Sequence, residues 1–347
     1  MQGARNGNAA SRMPGSAIEA DDEPKKNQRI RASKLTTTRG ILAGVGAAAV
    51  LLAMPFVIDE YPLTLATDVA IFTLFVLGIN LLLGYTGLIS LGHSIFLGLG
   101  GYGIGIFVKI AGLPLWLAVI LTLCVIAIVA FAMSLVCTRT AGVEFLLITL
   151  AFSQMIYGAA VKMRITGGDD GMPGLPRPDL SGIGLDSYNS SVFYFYILTI
   201  VLLALALVWR LINSPFGSVL IGIRENERRM IALGYNVTVY KIVAFVISGI
   251  ISGTAGILLA QKLSFVNPDS LAWQVSGEGL LMAIIGGPQS FLGPIVGAAF
   301  FVIVKERLAG ITQEYMIFFG LFFMLIVAVF RNGLAGFVEM LVRRKVR

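Results

Sequence analysis

Long apolar runs separated by short polar breaks occupy most of this chain. They cover residues 40–58, 63–83, 115–137, 143–161, 192–212 and 242–260, and a more broken apolar region comes after them at 280–330. Crossing the hydrocarbon core of a bilayer, roughly 30 Å thick, takes roughly 20 mostly apolar residues in a helix, which is the scale of these runs. Inside that core every backbone N–H and C=O must be paired internally, so only helices and closed barrels span it. Barrel strands are short and alternate in polarity, and these runs do neither. The pattern predicts an all-α integral membrane protein.

The polar breaks carry the orientation. Residues 1–39 are polar, with Lys25, Lys26, Arg29, Arg31, Lys34 and Arg39 just before the first apolar run, and are expected to form a disordered cytoplasmic tail. The run after them is too long for the core of a cleaved signal. Counting crossings from there places 84–87, 138–142 and the basic loop 213–241 inside, and 59–62, 112–114 and the loop 162–191 outside. The basic segment 335–347, with Arg343, Arg344, Lys345 and Arg347, also belongs inside, which requires an even number of crossings. Splitting 277–305 into two short elements around Gly286, Gly287 and Ser290, with a last helix at 315–330, brings the total to ten within a membrane domain of 40–334.

Glycine and serine concentrate in 84–105 and 286–297, at corresponding positions of two blocks, 63–161 and 242–330, that start on opposite sides of the membrane. This arrangement points to an inverted repeat, in which paired glycine-interrupted segments mark the pathway. The plainer reading is that small residues let helices pack closely.

Composition narrows the function classes. With 57% hydrophobic and 13% charged residues, an ordinary soluble domain is excluded. The net charge of +7 gathers in the tails and beside the apolar runs, a membrane pattern rather than a nucleic-acid footprint. Cys124 and Cys137 share one apolar run, too far apart on a straight helix for a disulfide. With His93 the only histidine, neither a metal site nor a catalytic residue is expected.

Polar groups inside the membrane are costly unless they are paired or face water. Ser90, His93 and Gln154, with Gly286, Gly287 and Ser290, are therefore the candidate translocation residues. His93 either faces the pathway or acts as a structural clasp, and Gln154 either meets substrate or bridges helices. Asp68 and Glu144 sit near helix ends, within reach of interfacial water. The outside loop 162–191, rich in glycine and proline, is read as a structured cap.

In 213–241, at about 100° per residue, Val219, Leu220, Ile223, Met230, Ile231 and Leu233 fall on one side of a helix. Arg224, Glu225, Arg228 and Arg229 fall on the other, and Glu227 lands out of phase. Gly234 suits a helix C-terminus. Such a helix fits a groove on a motor subunit or a bed of lipid headgroups equally well.

The stretch 216–259 resembles the coupling loop and adjoining helix of permease subunits in branched-chain amino acid ABC importers of the LivM type. That family has segments similar to GINLLLGYTGLISLGHSIFLGLGGYG at 78–103, TLAFSQ at 149–154, ITGGDDGMPGLPRP at 165–178 and FVNPDSLAWQVSGEGLLMAIIGGPQSFLGP at 265–294, in the same order. The resemblance covers roughly residues 63–334. It implies a permease subunit of the bacterial inner membrane, paired with a homologous second permease subunit, two cytoplasmic ATPase subunits and a periplasmic substrate-binding protein. Met230, Ala232 and Gly234 then match the segment that contacts the ATPase, Arg224 and Glu225 match the charged residues before it, and Glu227 lies between them. ATP would be bound by the partner subunits, and no cofactor is expected here, in keeping with the lack of a GxxxxGK[ST] phosphate loop. Within that class, urea, short amides and other amino acids are alternative substrates. A secondary transporter driven by an ion gradient is the alternative of another class, and it would usually place an ionisable residue at mid-membrane.

Overall fold

The computed structural model describes residues 59–178 and 187–310, besides the single positions 55 and 320. Apart from those two positions, the expected spans at 40–58 and 315–330, both tails, and residues 179–186 of the loop 162–191 lie beyond the described residues. All the described residues except Pro55 belong to one compact unit, Ile58–Arg347.

Apolar runs become helices where the sequence supplies stops. Helix α1 (Glu60–Tyr85) ends before Gly87, whose φ of +76° no side-chain residue adopts cheaply. Helix α2 (His93–Ile104) continues into a π-helical turn, Gly105–Ile110, and is stopped by Gly112 and Pro114. After Pro114 runs α3 (Leu115–Cys137), and after left-handed Gly142 runs α4 (Val143–Lys162). Helices α5 (Ser190–Ile212), α6 (Pro215–Ala232) and α7 (Val237–Leu263) come next. The side chains of Asn189 and Asn236 accept hydrogen bonds from Ser191 N and Val239 N, capping α5 and α7. Helices α8 (Trp273–Gly286) and α9 (Gly293–Ala309) form the hairpin around Gly286 and Gly287.

Six of the described segments are long and apolar enough to span: α1, α2 with its π turn, α3, α4, α5 and α7. Helices α8 and α9 have 14 and 17 residues. At 1.5 Å per residue they measure about 21 and 25 Å, short of a full bilayer core.

Contacts sort the helix ends into two faces of the bundle. At one face Ser190 donates to Glu60, Tyr61 donates to Glu306, and Lys262 pairs with Asp68, joining the starts of α1 and α5 to the ends of α7 and α9. At the other, the end of α1 meets α6 and the α8–α9 turn.

The loop between α4 and α5 is pinned at the first face. Met172–Pro173 pairs antiparallel with Phe265–Val266, and Lys109 Nζ donates to Pro173 O at 2.6 Å. Gly171, at φ +71°, lets the loop pass against Val266, where a Cβ would overlap the carbonyl oxygen.

Helix α7 is the central column, packed on α1, α2 and α3. Its small residues make this possible. A Cβ at Gly256 would overlap the carbonyl of Leu97 on α2, and one at Gly78 of α1 would overlap Ser252 Oγ. One apolar core joins α1, α5, α7, α8 and α9 with Leu97 of α2, and another gathers the end of α1 with α2, α3, α4, α6 and α7. In the second, Phe96, Phe145 and Phe245 meet edge to face, with ring centroids 5.7 and 6.1 Å apart.

Candidate coupling helix and translocation residues

Pro215 opens α6, where its missing N–H costs nothing. The helix lays Val219, Leu220 and Ile223 into the core between α1 and α7. At Asn226 it breaks, with φ −160° and ψ 96°. Asn226 Oδ1 accepts from Arg229 N at 2.9 Å, capping the second piece. That piece ends in a Schellman turn: Tyr235 N donates to Met230 O, Gly234 N donates to Ile231 O, and Gly234 takes φ +87°.

Two features of α6 differ from the straight-helix pattern. Ile231 and Leu233, which a straight helix puts on the same side as Val219 and Leu220, are 57% and 66% exposed beyond the break, while those two residues are buried before it. Arg224, expected on the outer polar side, is half-buried, and its Nη1 donates to the Gly84 carbonyl at the end of α1. Glu227, out of phase in a straight helix, now faces Lys241 at 2.7 Å. Met230 is buried, its Sδ so close to Gly222 that a Cβ there would sit 2.7 Å away. Glu225, Arg228, Arg229, Ala232 and Gly234 are exposed. The outer surface of α6 therefore mixes charge with Ile231 and Leu233.

The candidate translocation residues fall in three places. Ser90 is buried in the turn before α2, its Oγ accepting from Gly92 N at 3.2 Å. His93 is fully buried, its Nε2 2.7 Å from Ser248 Oγ, and that hydroxyl is 2.7 Å from Gly78 O. The histidine thus ties α2 to α7 and α1. Gly286, Gly287 and Ser290 shape the α8–α9 turn, and Ser290 O accepts from Asn80 Nδ2 at 3.4 Å. Gln154 lies apart from both groups, on the exposed face of α4, and bridges no helices among the described residues.

One buried polar group had no sequence signal. Ser94 on α2, Ser153 on α4 and Ser276 on α8 meet in the core. Ser94 and Ser153 hydroxyls lie 3.0 and 2.9 Å from Leu271 O, and Ser276 Oγ accepts from Ser94 N at 2.7 Å. Asp68 and Glu278, in the first halves of α1 and α8, pair with Lys262 and Lys305 near the ends of α7 and α9, at 2.5 and 3.1 Å.

Residues 61–329 match the family described as the branched-chain amino acid transport system / permease component. The chain belongs to this family. It is 27% identical over 293 residues to the high-affinity branched-chain amino acid transport system permease protein LivM of Salmonella typhimurium, covering 78% of this chain and 69% of that one. To LivM of Escherichia coli it is 26% identical over 307 residues, 82% and 72% of the two chains. The autoinducer 2 import system permease protein LsrC of Photorhabdus laumondii is 26% identical over 159 residues, 42% of this chain and 46% of that one. No solved structure matches. The permease is thus a multi-pass, helical membrane protein of a transport system.

Proposed function

We propose that this chain is the permease subunit of a binding-protein-dependent ABC importer for branched-chain amino acids, seated in the bacterial inner membrane beside a homologous second permease. The observation that carries the reading is α6. It is a broken amphipathic helix at one face of the bundle, in a chain matched to the family from 61 to 329, and it offers Arg228, Arg229, Ile231 and Leu233 outward. An apolar and charged rim of this kind fits a groove on an ATPase better than solvent alone. The two cytoplasmic ATPases would bind ATP, and a periplasmic binding protein would deliver substrate, with the loop pinned at 172–173 on the delivery side.

Ten crossings in all are supported by the six spanning segments, the α8–α9 hairpin and the apolar runs at 40–58 and 315–330. The alternation of helix ends between two faces supports the same count. With the basic tails on the cytoplasmic side, α6 would lie there too, and an inverted repeat relating 63–161 to 242–330 fits the same reading.

The test is reconstitution. Proteoliposomes holding this chain, its partner permease and the ATPases should accumulate leucine, isoleucine and valine when binding protein and ATP are supplied. Accumulation driven by a proton or sodium gradient with no ATPase present would end the ABC reading. Uptake of urea or another solute with no uptake of leucine would keep the mechanism and change the substrate.

A further inference from the structure

We infer that Arg224 is a positioning residue that hands movement of α6 to the glycine turn between α8 and α9 through the carbonyl of Gly84. The inference rests on the proposed importer function and adds the internal route of coupling to it.

The last four carbonyls of a helix have no partner within it and carry its negative pole. Gly84 is one residue from the end of α1, and the Arg224 guanidinium donates to its oxygen. Arg224 therefore caps α1 with a charge as well as a hydrogen bond. A half-buried guanidinium is expensive to strand, so α6 cannot leave this site cheaply.

Glycines bring the parts together. A Cβ at Gly87 would come 2.9 Å from Arg224 Cγ, so the absence of a side chain there makes room for the arginine stem. A Cβ at Gly84 itself would overlap the carbonyl oxygen of Pro288 in the α8–α9 turn. One turn earlier on α1, Asn80 donates to Ser290 O, while its own Oδ1 is buried with no partner among the described residues. The end of α1 is thus clamped between the arginine and the turn.

The break at Asn226 divides the labour. Arg228, Arg229, Ile231 and Leu233 beyond it are exposed, and Arg224 before it faces inward. A partner gripping the outer piece would move Arg224, and Arg224 would carry Gly84 and the turn it touches.

The complete importer in proteoliposomes tests this. Arg224→Ala should keep the ATPase subunits bound and hydrolysing, while solute imported per ATP falls about tenfold, within the usual range of coupling energies. Arg224→Lys, which can still donate to Gly84, should restore much of the ratio. Arg228→Ala, on the exposed face, should instead weaken ATPase retention. If Arg224→Ala sheds the ATPases and the remaining complex imports normally per ATP, the arginine is a partner contact and the inference is wrong. Absence of ATP-driven uptake by the unaltered complex would count against the importer reading instead. A second measurement needs no change at Arg224: spin labels at exposed positions 218 and 289 should keep their separation when nucleotide binds, while both move relative to position 170. Movement of 218 with 289 stationary would overturn the link.

Discussion

Lys241 Nζ lies 2.7 Å from Glu227 Oε1, and the lysine side chain is only 3% exposed. A buried ammonium without its partner loses far more than an exposed one, whereas replacing both partners with apolar groups is often neutral. Glu227→Ala should therefore destabilise the permease by about 1–3 kcal/mol, the scale of a buried group left unsatisfied. Adding Lys241→Met should recover most of that loss. Thermal unfolding of the detergent-purified variants measures both, and a double variant no more stable than Glu227→Ala would show that the pair does not hold α6 to α7.

His93, Ser248 and Gly78 form a relay across three helices. Ser248→Ala should cost about 1–3 kcal/mol, because it leaves His93 Nε2 buried without its partner. Combined with His93→Leu, the losses should fall short of additive by at least about 0.5 kcal/mol, as for groups in direct contact. Strict additivity in unfolding midpoints would mean that the relay is not energetically coupled.

Two glycines give opposite outcomes. A Cβ at Gly256 would meet the backbone of Leu97, which cannot swing aside, so Gly256→Ala should destabilise by about 1–3 kcal/mol through forced separation of α2 and α7. Gly158, on α4, has nothing within 4 Å of the same position. There, alanine should be neutral or stabilising by up to about 1 kcal/mol through helix propensity. Equal effects at the two sites would contradict the close approach of α2 and α7.

Helices such as α3 and α5 were legible because an apolar run of spanning length has few other stable forms. The glycine-rich stretch that becomes α2 was less plain, since its small residues weaken the apolar signal and make sense only once Gly100 and Gly101 are seen facing α7 and Val266. The amphipathic character of α6 was readable, but the break at Asn226 was not. The break lets Glu227 reach Lys241 in the next helix, a pairing that a single sequence does not show. The direction of Arg224 was equally hidden, because a long side chain near a helix end can turn to solvent or to a neighbouring carbonyl. The Ser94 site joins residues 59 and 182 positions apart, a separation at which a single sequence carries no pairing signal.

Gly234 sits at φ +87° with nothing within 4 Å of where a Cβ would stand. A small side chain there meets no atom of this chain, so the cost of Gly234→Ala is that of the left-handed backbone, about 1–2 kcal/mol. Asparagine, which visits that conformation more readily, should cost less. Because the residue closes the exposed end of α6, the strain should fray residues 230–235 and leave the membrane helices intact. The expected result is normal membrane insertion and an unchanged main unfolding transition, with weaker retention of the ATPases in the order Ala worse than Asn. Equal retention in both variants would show that the left-handed turn does not shape the proposed ATPase-binding surface.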